Sequence, residues 1–288
     1  MQEGSRKAII AAFFANLGIA IAKFIGFAIT GAASMLAEGI HSVADTSNQG
    51  LLLLGGSRAR RAPTASHPFG YGRERYFWSF TVAMVLFSVG GLFALFEGVE
   101  KLRHPHELES PSVAVTILVL AIVFEIFSFR TAIKESAHAK GDLSWWGFVR
   151  HSKSPELPVV LLEDLGALVG LVMALFGVGL AELTGNPRFD AVGSIAIGVL
   201  LIVIAIVLMI EMKSLLIGES AAPAAERRIR DTLESGKGVR RVIHLRTQHL
   251  GPDELLVGAK VELDGELDAA EVCAAINAVE ESVRTAVP

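Results

Sequence analysis

The sequence predicts a polytopic α-helical membrane protein with six transmembrane helices and a small α+β domain after them. Several segments of about 20 residues carry few charges, which is the length that a helix needs to cross a bilayer. Hydrophobic residues make up 52% of the 288-residue chain, and the mean hydropathy is +0.51. Because this apolar excess lies in the first three quarters of the chain, the membrane domain is expected there and a water-soluble domain after it.

The six expected spans follow one another with short connections. An even number of spans places both termini on one side of the membrane, and the basic residues of the connecting loops lie on that side. By the positive-inside rule the termini are therefore expected to face the cytoplasm. The spans are Ala8–Ile29, Ala33–Gly55, Phe77–Glu100, Ser112–Ala132, Leu157–Leu183 and Phe189–Met212, within a transmembrane domain that covers residues 1–212.

The second span contains a polar stripe, EGIHSVADTSN, from Glu38 to Asn48. His41 and Asp45 are one helical turn apart, so both side chains leave the same face of the helix. An ionisable residue inside a bilayer is costly unless it is paired, hydrated or bound to a cation. Since histidine and aspartate are ordinary ligands for zinc and related ions, the stripe predicts a divalent metal site. The alternatives are a solvated stripe inside a helix bundle and a structural ion pair.

Glu163 and Asp164 are adjacent acids in the fifth span, near its cytoplasmic end. Neighbouring residues on a helix point about 100° apart, so both carboxylates cannot face one partner squarely. One of them is expected to line the same cavity as His41 and Asp45. The other would bind the metal from the edge, pair with a base or carry a proton.

Other charged residues in the membrane domain are interpreted as structural. Lys23 is expected to extend its stem toward the outer interface or to pair with a glutamate. Glu97, Glu100 and Glu125 are interpreted as interior pairing or interface residues. The loop HPFGYGRERYF after the second span is expected to bend at the level of the headgroups, with its arginines facing anionic lipid.

The last part of the chain, residues 213–288, is expected to form the cytoplasmic α+β domain. Its expected elements are a helix over Ala222–Ser235, strands over Val239–Gln248 and Leu255–Leu263, and a helix over Asp268–Thr285. A turn with Gly251, Pro252 and Asp253 joins the two strands as a hairpin. Two strands form a thin sheet, so a further strand could follow, and dimerisation could cover the exposed edge.

Three classes of function have little support in the sequence. The single cysteine, Cys273, excludes an intramolecular disulfide framework. A formal net charge of −4 gives no evidence for a nucleic-acid partner. The sequence carries no phosphate-cradling motif and no recognisable catalytic triad, so direct coupling to ATP and enzymatic chemistry are not expected.

Three segments of the chain resemble the cation diffusion facilitator family of zinc-transporter-like exporters. They are TGAASMLAEGIHSVADTSNQ in the second span, HPFGYGRER in the following loop and VIHLRTQHLGPDELLVGAKVEL in the last domain. The resemblance implies a homodimer with a ferredoxin-like cytoplasmic domain on each protomer. It also implies proton-coupled export of a cytoplasmic divalent metal by alternating access, with no bound cofactor, and a multi-pass protein of the bacterial inner membrane.

The resemblance implies two metal ligands on the second span and two on the fifth. His41 and Asp45 match the first pair. On the fifth span the family has a histidine and an aspartate one turn apart, and Asp164 matches the aspartate while Val160 stands at the histidine position. Glu163 is therefore the candidate for the missing ligand. An imidazole with three carboxylates suits zinc, and it also favours manganese, iron(II) and cobalt.

Two accessory metal sites of the family are expected to be incomplete here. In the loop, Tyr71 stands where a second histidine would accompany His67. In the last domain, Ile243 and Ala259 occupy positions of the family's binding histidines. The alternatives to an exporter are a non-transporting metal-sensing or scaffold membrane protein, which Val160 favours, and a channel or carrier for another solute.

Overall fold

The computed structural model describes residues 3–30, 33–105 and 111–287, and its side chains over 6–26, 28, 42–105 and 112–287. The chain divides into two compact units, Met1–Leu216 and Ile217–Pro288. The predicted division between residues 212 and 213 lies within the last helix of the first unit. In order, the helical elements up to that point are α1 (Glu3–Thr30), α2 (Ala33–Arg58), α3 (Glu74–Val85), a π-helical segment (Leu86–Leu92), α4 (Phe93–Arg103), α5 (Pro111–Lys140), α6 (Trp145–His151), α7 (Glu156–Thr184) and α8 (Arg188–Ile217).

The predicted polytopic helical membrane domain is confirmed. Within the described residues, five helices are long and apolar enough to cross a membrane, and α3, the π-helical segment and α4 form one of them as a continuous span. The sixth expected span is α2, which has 26 residues and so extends about 39 Å at 1.5 Å per residue. Its polar stripe lowers its mean hydropathy, and it packs along α1 and α3.

The interior face of the bundle is clearest on α5, which packs on α1 and α7. Its buried residues recur every three or four positions and so form one stripe: Ile117, Ala121, Glu125, Ser128 and Ala132. The opposite face carries exposed apolar side chains such as Val123 and Phe127, which suits contact with lipid. A polar residue on the interior stripe therefore faces other helices.

Glycines let α8 approach the third span at backbone distance. A Cβ atom added at Gly198 would lie 2.6 Å from the backbone nitrogen of Leu95, and one added at Gly91 would lie 2.6 Å from the side chain of Ile202. Small residues at helix crossings are the usual device for close packing in membranes. This crossing holds the π-helical segment and α4 against α8.

The second unit contains α9 (Pro223–Glu234), β1 (Val239–Gly251), β2 (Glu254–Leu263) and α10 (Ala269–Ala286). The two strands form an antiparallel sheet in which Val242 pairs with Val261 and Thr247 pairs with Val257. Ile229, Leu233 and Val279 form the centre of its apolar core. A capping box of Asp268 and Glu271 begins α10. The predicted α+β composition of this domain is confirmed.

Candidate metal centre

Helix α2 directs a set of polar side chains into the membrane domain. Ser42, Asp45 and Gln49 are spaced three and four residues apart, so they lie on one face of the helix. Asn48 and Gln49 are almost completely buried, at 1% and 0% exposed. The backbone of His41 lies in α2 one turn before Asp45, but the side chain of His41 is outside the described residues.

Glu163 and Asp164 on α7 are both buried, at 4% and 1% exposed. Glu163 accepts hydrogen bonds from two amides of α2, at 2.8 Å from Asn48 Nδ2 and 3.1 Å from Gln49 Nε2. Asp164 accepts a hydrogen bond of 2.6 Å from Ser128 Oγ on α5. The two adjacent acids therefore point toward different helices, as the helical angle between neighbours requires.

Glu125 on α5 belongs to the same group of carboxylates. It is 1% exposed and lies one turn before Ser128 on the interior stripe. Its charge interacts with those of Asp164, Asp45 and Glu163, and with the ammonium of Lys23. The sequence interpretation of Glu125 as an interior pairing residue was correct about burial but missed its place beside the other acids. An ionisable residue at the middle of a span was the available signal.

Lys23 on α1 also lies inside the domain. Its side chain is 5% exposed and lines the cavity that the acids share, so it does not reach the outer interface. Its electrostatic interaction with Glu125 agrees with the expectation that Lys23 pairs with one of three glutamates.

The acids and Lys23 line one cavity of about 150 Å³. At roughly 30 Å³ for each water, this volume holds about five waters or a partly hydrated ion. The residues of its wall that lie beyond the acids come from five spans: Lys23, Glu97, Leu118, Ala174 and Ser194. We call the end where α2 and α5 finish and α3 and α7 begin the basic end, and the opposite end the far end. On every helix these wall residues lie toward the far end.

At the basic end a buried ion pair joins α3 to α7. Arg75 Nη2 donates to Glu156 Oε2 at 2.9 Å, and Arg75 Nε donates to Glu156 Oε1. Arg75 is 3% exposed and Glu156 is 0% exposed. The prediction that this arginine faces anionic lipid is therefore wrong, because the adjoining start of α7 supplies a carboxylate that pairs with it. Leu52, Tyr76 and Leu157 pack in the same buried cluster.

The loop before α3 is held together by its own side chains. The rings of His67 and Tyr71 stack with centroids 4.6 Å apart. The hydroxyl of Thr64 lies 3.2 Å from that of Tyr71 and 3.2 Å from that of Ser66. Tyr71, which replaces the second histidine of a loop metal site, thus has a packing role.

The site can hold a cation by charge, but its side chains do not enclose one in this arrangement. Among the residues whose side chains are described, which leaves out His41, no three His, Cys, Asp or Glu side chains are arranged to hold a metal ion. Asp164 and Glu163 are instead occupied by hydroxyl and amide donors. A bound metal would require the carboxylates to turn toward a common centre.

The fold and the site define a multi-pass membrane protein with buried carboxylates around an internal cavity and a small α+β domain after its last span. The model of the cation efflux transmembrane domain matches residues 9–217, and that of the cytoplasmic domain of cation efflux proteins matches residues 222–288. The chain therefore belongs to the cation diffusion facilitator family, a family of cation efflux transporters.

Several relatives are similar over most of this chain. It is 37% identical over 268 residues to the Xenopus laevis protein named proton-coupled zinc antiporter SLC30A9, mitochondrial, covering 92% of this chain and 48% of that protein. The human protein of that name is 35% identical, covering 92% and 47%. Metal tolerance protein C4 of Arabidopsis thaliana is 28% identical over 265 residues, covering 91% and 58%. The chain spans about half the length of the zinc antiporters it matches.

Proposed function

We propose that this protein exports a divalent metal cation in exchange for protons, with zinc as the first candidate. The observation that carries the proposal is that carboxylates from three helices, α2, α5 and α7, line one cavity inside the membrane domain. Such a concentration of buried acids is unfavourable unless a cation neutralises it. The printed names of the zinc antiporter relatives point to the same substrate and to coupling with protons.

His41, Asp45, Glu163 and Asp164 are the proposed ligands, and Glu125 is added to them because it shares the cavity. A carboxylate has about four lone-pair sites, so the two amide donors on Glu163 leave room for a cation. A set dominated by carboxylates also suits manganese, iron(II) or cobalt. Because metal binds the ionised carboxylates, protons compete with it, and this competition is the proposed basis of exchange.

Alternating access is supported by the contrast between the two ends. The cavity extends toward the far end, while the pair of Arg75 and Glu156 closes the basic end. We propose that this arrangement releases metal at the far end, and that metal loading requires α3 and α7 to separate at the basic end. The basic loops favour a cytoplasmic location for that end.

The assembly and the membrane are proposed on similar grounds. The match to the cytoplasmic domain of cation efflux proteins supports a homodimer. Since exchange for protons needs a proton gradient, an energy-conserving membrane is the proposed location, with the bacterial inner membrane as the first candidate.

The test is metal flux into proteoliposomes that hold the purified protein, measured with and without a pH gradient. We expect saturable uptake of zinc that the gradient accelerates, and loss of uptake in Asp45→Asn. The control is Asp142→Asn, since Asp142 is an exposed acid in the loop after α5. Absence of flux for zinc, manganese, cobalt and iron(II) at every gradient would refute the exporter.

One observation favours a metal-sensing or scaffold protein as the second candidate. Val160, one turn before Asp164, is 0% exposed and packs in the apolar core of the domain. It supplies no ligand at the position where the family has a histidine. Metal binding without flux in the proteoliposome experiment would support this candidate.

A further inference from the structure

We propose that Lys23 is a tethered counter-cation of the transport site, which neutralises the carboxylates when no metal is bound and competes with the metal for them. The inference rests on the proposed function and deepens it. It assigns to one residue a role in setting the affinity for metal and the rate of metal release.

The position of Lys23 is the first support. Its side chain is buried at 5% exposed, and it lines the same cavity as Asp45, Glu125, Glu163 and Asp164. Its ammonium interacts electrostatically with Glu125. Asn16, two turns earlier on the same face of α1, donates to Gln49 Oε1 at 3.4 Å, so this face of α1 is directed toward α2 and its polar stripe.

The balance of charge is the second support. Four ionised carboxylates and one ammonium have a formal charge of −3, which a divalent cation reduces to −1. Without the ammonium, the empty site would have a charge of −4 in a region of low dielectric constant. Lys23 therefore stabilises the empty site more than the loaded one, since it attracts the carboxylates but repels the metal.

The shape of lysine suits this role. Its charge is a compact ammonium on a flexible four-carbon stem, so it can withdraw along the cavity when a metal arrives and return when the metal leaves. The wall of the cavity extends from Lys23 toward Glu97 at the far end, which offers the ammonium a second acidic position.

Lys101 provides a comparison within the same domain. It bridges Glu97 and Asp190 at 3.1 Å each, between α4 and α8, and it does not line the cavity. Lys101 is thus a lysine with two carboxylate partners in a structural contact, whereas Lys23 faces the proposed ligands themselves.

The experiment measures zinc binding by titration calorimetry on the purified full-length protein in nanodiscs. We compare the wild type with Lys23→Met, Lys23→Arg and the control Lys101→Met. Lys23→Met removes the charge and keeps the stem, so we expect zinc to bind at least about tenfold more tightly. Lys23→Arg keeps the charge and should bind zinc within about threefold of the wild type, and Lys101→Met should not change the affinity.

Transport gives a second readout, which a purely structural lysine would not produce. In proteoliposomes, Lys23→Met should lower the KM for zinc and also lower the maximal rate, because the metal is held longer before release. If Lys23→Met does not fold, we compare the double variant Lys23→Met, Glu125→Gln with Glu125→Gln alone, which avoids an unpaired charge. The double variant should bind zinc more tightly than the single one.

Unchanged or weaker zinc binding after removal of the Lys23 charge would overturn the inference while leaving the exporter intact. Loss of binding in Lys23→Met with rescue in Lys23→Arg would also overturn it, because the ammonium would then be holding the site together. A wild type that binds none of zinc, manganese, cobalt or iron(II) would overturn both the inference and the proposed function.

Discussion

The two ends of the membrane domain bury charge in opposite ways. At the basic end, Arg75 and Glu156 neutralise one another and leave no space between the helices that carry them. Toward the far end, Asp45, Glu163 and Asp164 are like charges around a cavity. A matched pair can be packed like apolar side chains, whereas like charges need water or a mobile cation between them. The difference separates a contact that closes the protein from a site that an ion can enter and leave.

The largest expected effect comes from breaking the matched pair. Arg75→Met should leave Glu156 buried and unpaired, which costs about 3–5 kcal/mol and should lower the thermal unfolding midpoint markedly. The double variant Arg75→Met, Glu156→Met should recover most of the loss, because no charge is then buried. If the single variant were as stable as the wild type, Arg75 and Glu156 would not form the closed contact described here.

The acids of α7 should differ in their effect on metal binding. Asp164→Ala should weaken zinc binding by about a hundredfold, or roughly 2.7 kcal/mol, because it removes a proposed ligand that faces α5. Glu163→Ala should weaken it less, since the carboxylate of Glu163 already accepts two amide donors from α2. Titration calorimetry with zinc measures both. Wild-type affinity in both variants would refute the assignment of ligands to α7.

The wall of the cavity can be tested at the crossing of α4 and α8. Gly198→Ala would place a methyl group 2.6 Å from the backbone nitrogen of Leu95, so the helices must separate. We expect a loss of about 2 kcal/mol in stability, measured by thermal unfolding. Gly179→Ala is the matched control, because no atom lies within 4 Å of the added carbon. Equal stability of the two variants would mean that this crossing is looser than its geometry indicates.

The smallest effect is expected at Ser128, which donates to Asp164 at 2.6 Å. Ser128→Ala removes one hydrogen bond to a proposed ligand and should change the affinity for zinc by about fivefold, or about 1 kcal/mol. Ser112→Ala, at the far-end start of α5, serves as the control because Ser112 is exposed. A hundredfold change in Ser128→Ala would instead indicate that the hydroxyl itself binds the metal.

Local patterns account for much of what the sequence predicts correctly. The apolar runs identify the spans, the spacing of Asp45 and its neighbours identifies a polar face on α2, and alternation with a Gly-Pro-Asp turn identifies the hairpin of the last domain. These features depend on residues close together in the chain, so periodicity and composition are enough to predict them. The angle between Glu163 and Asp164 follows from helical geometry alone.

Contacts between distant segments were beyond such patterns. Glu125 and Lys23 were each recognised as charges inside spans, but only the packing of α1, α5 and α7 places both of them beside Asp164. Arg75 lies 81 residues from Glu156, and its burial depends on where α7 begins relative to α3. The rotation of each helix about its axis decides which partner a buried charge meets, and that rotation is set by the side chains of neighbouring helices rather than by the helix's own sequence.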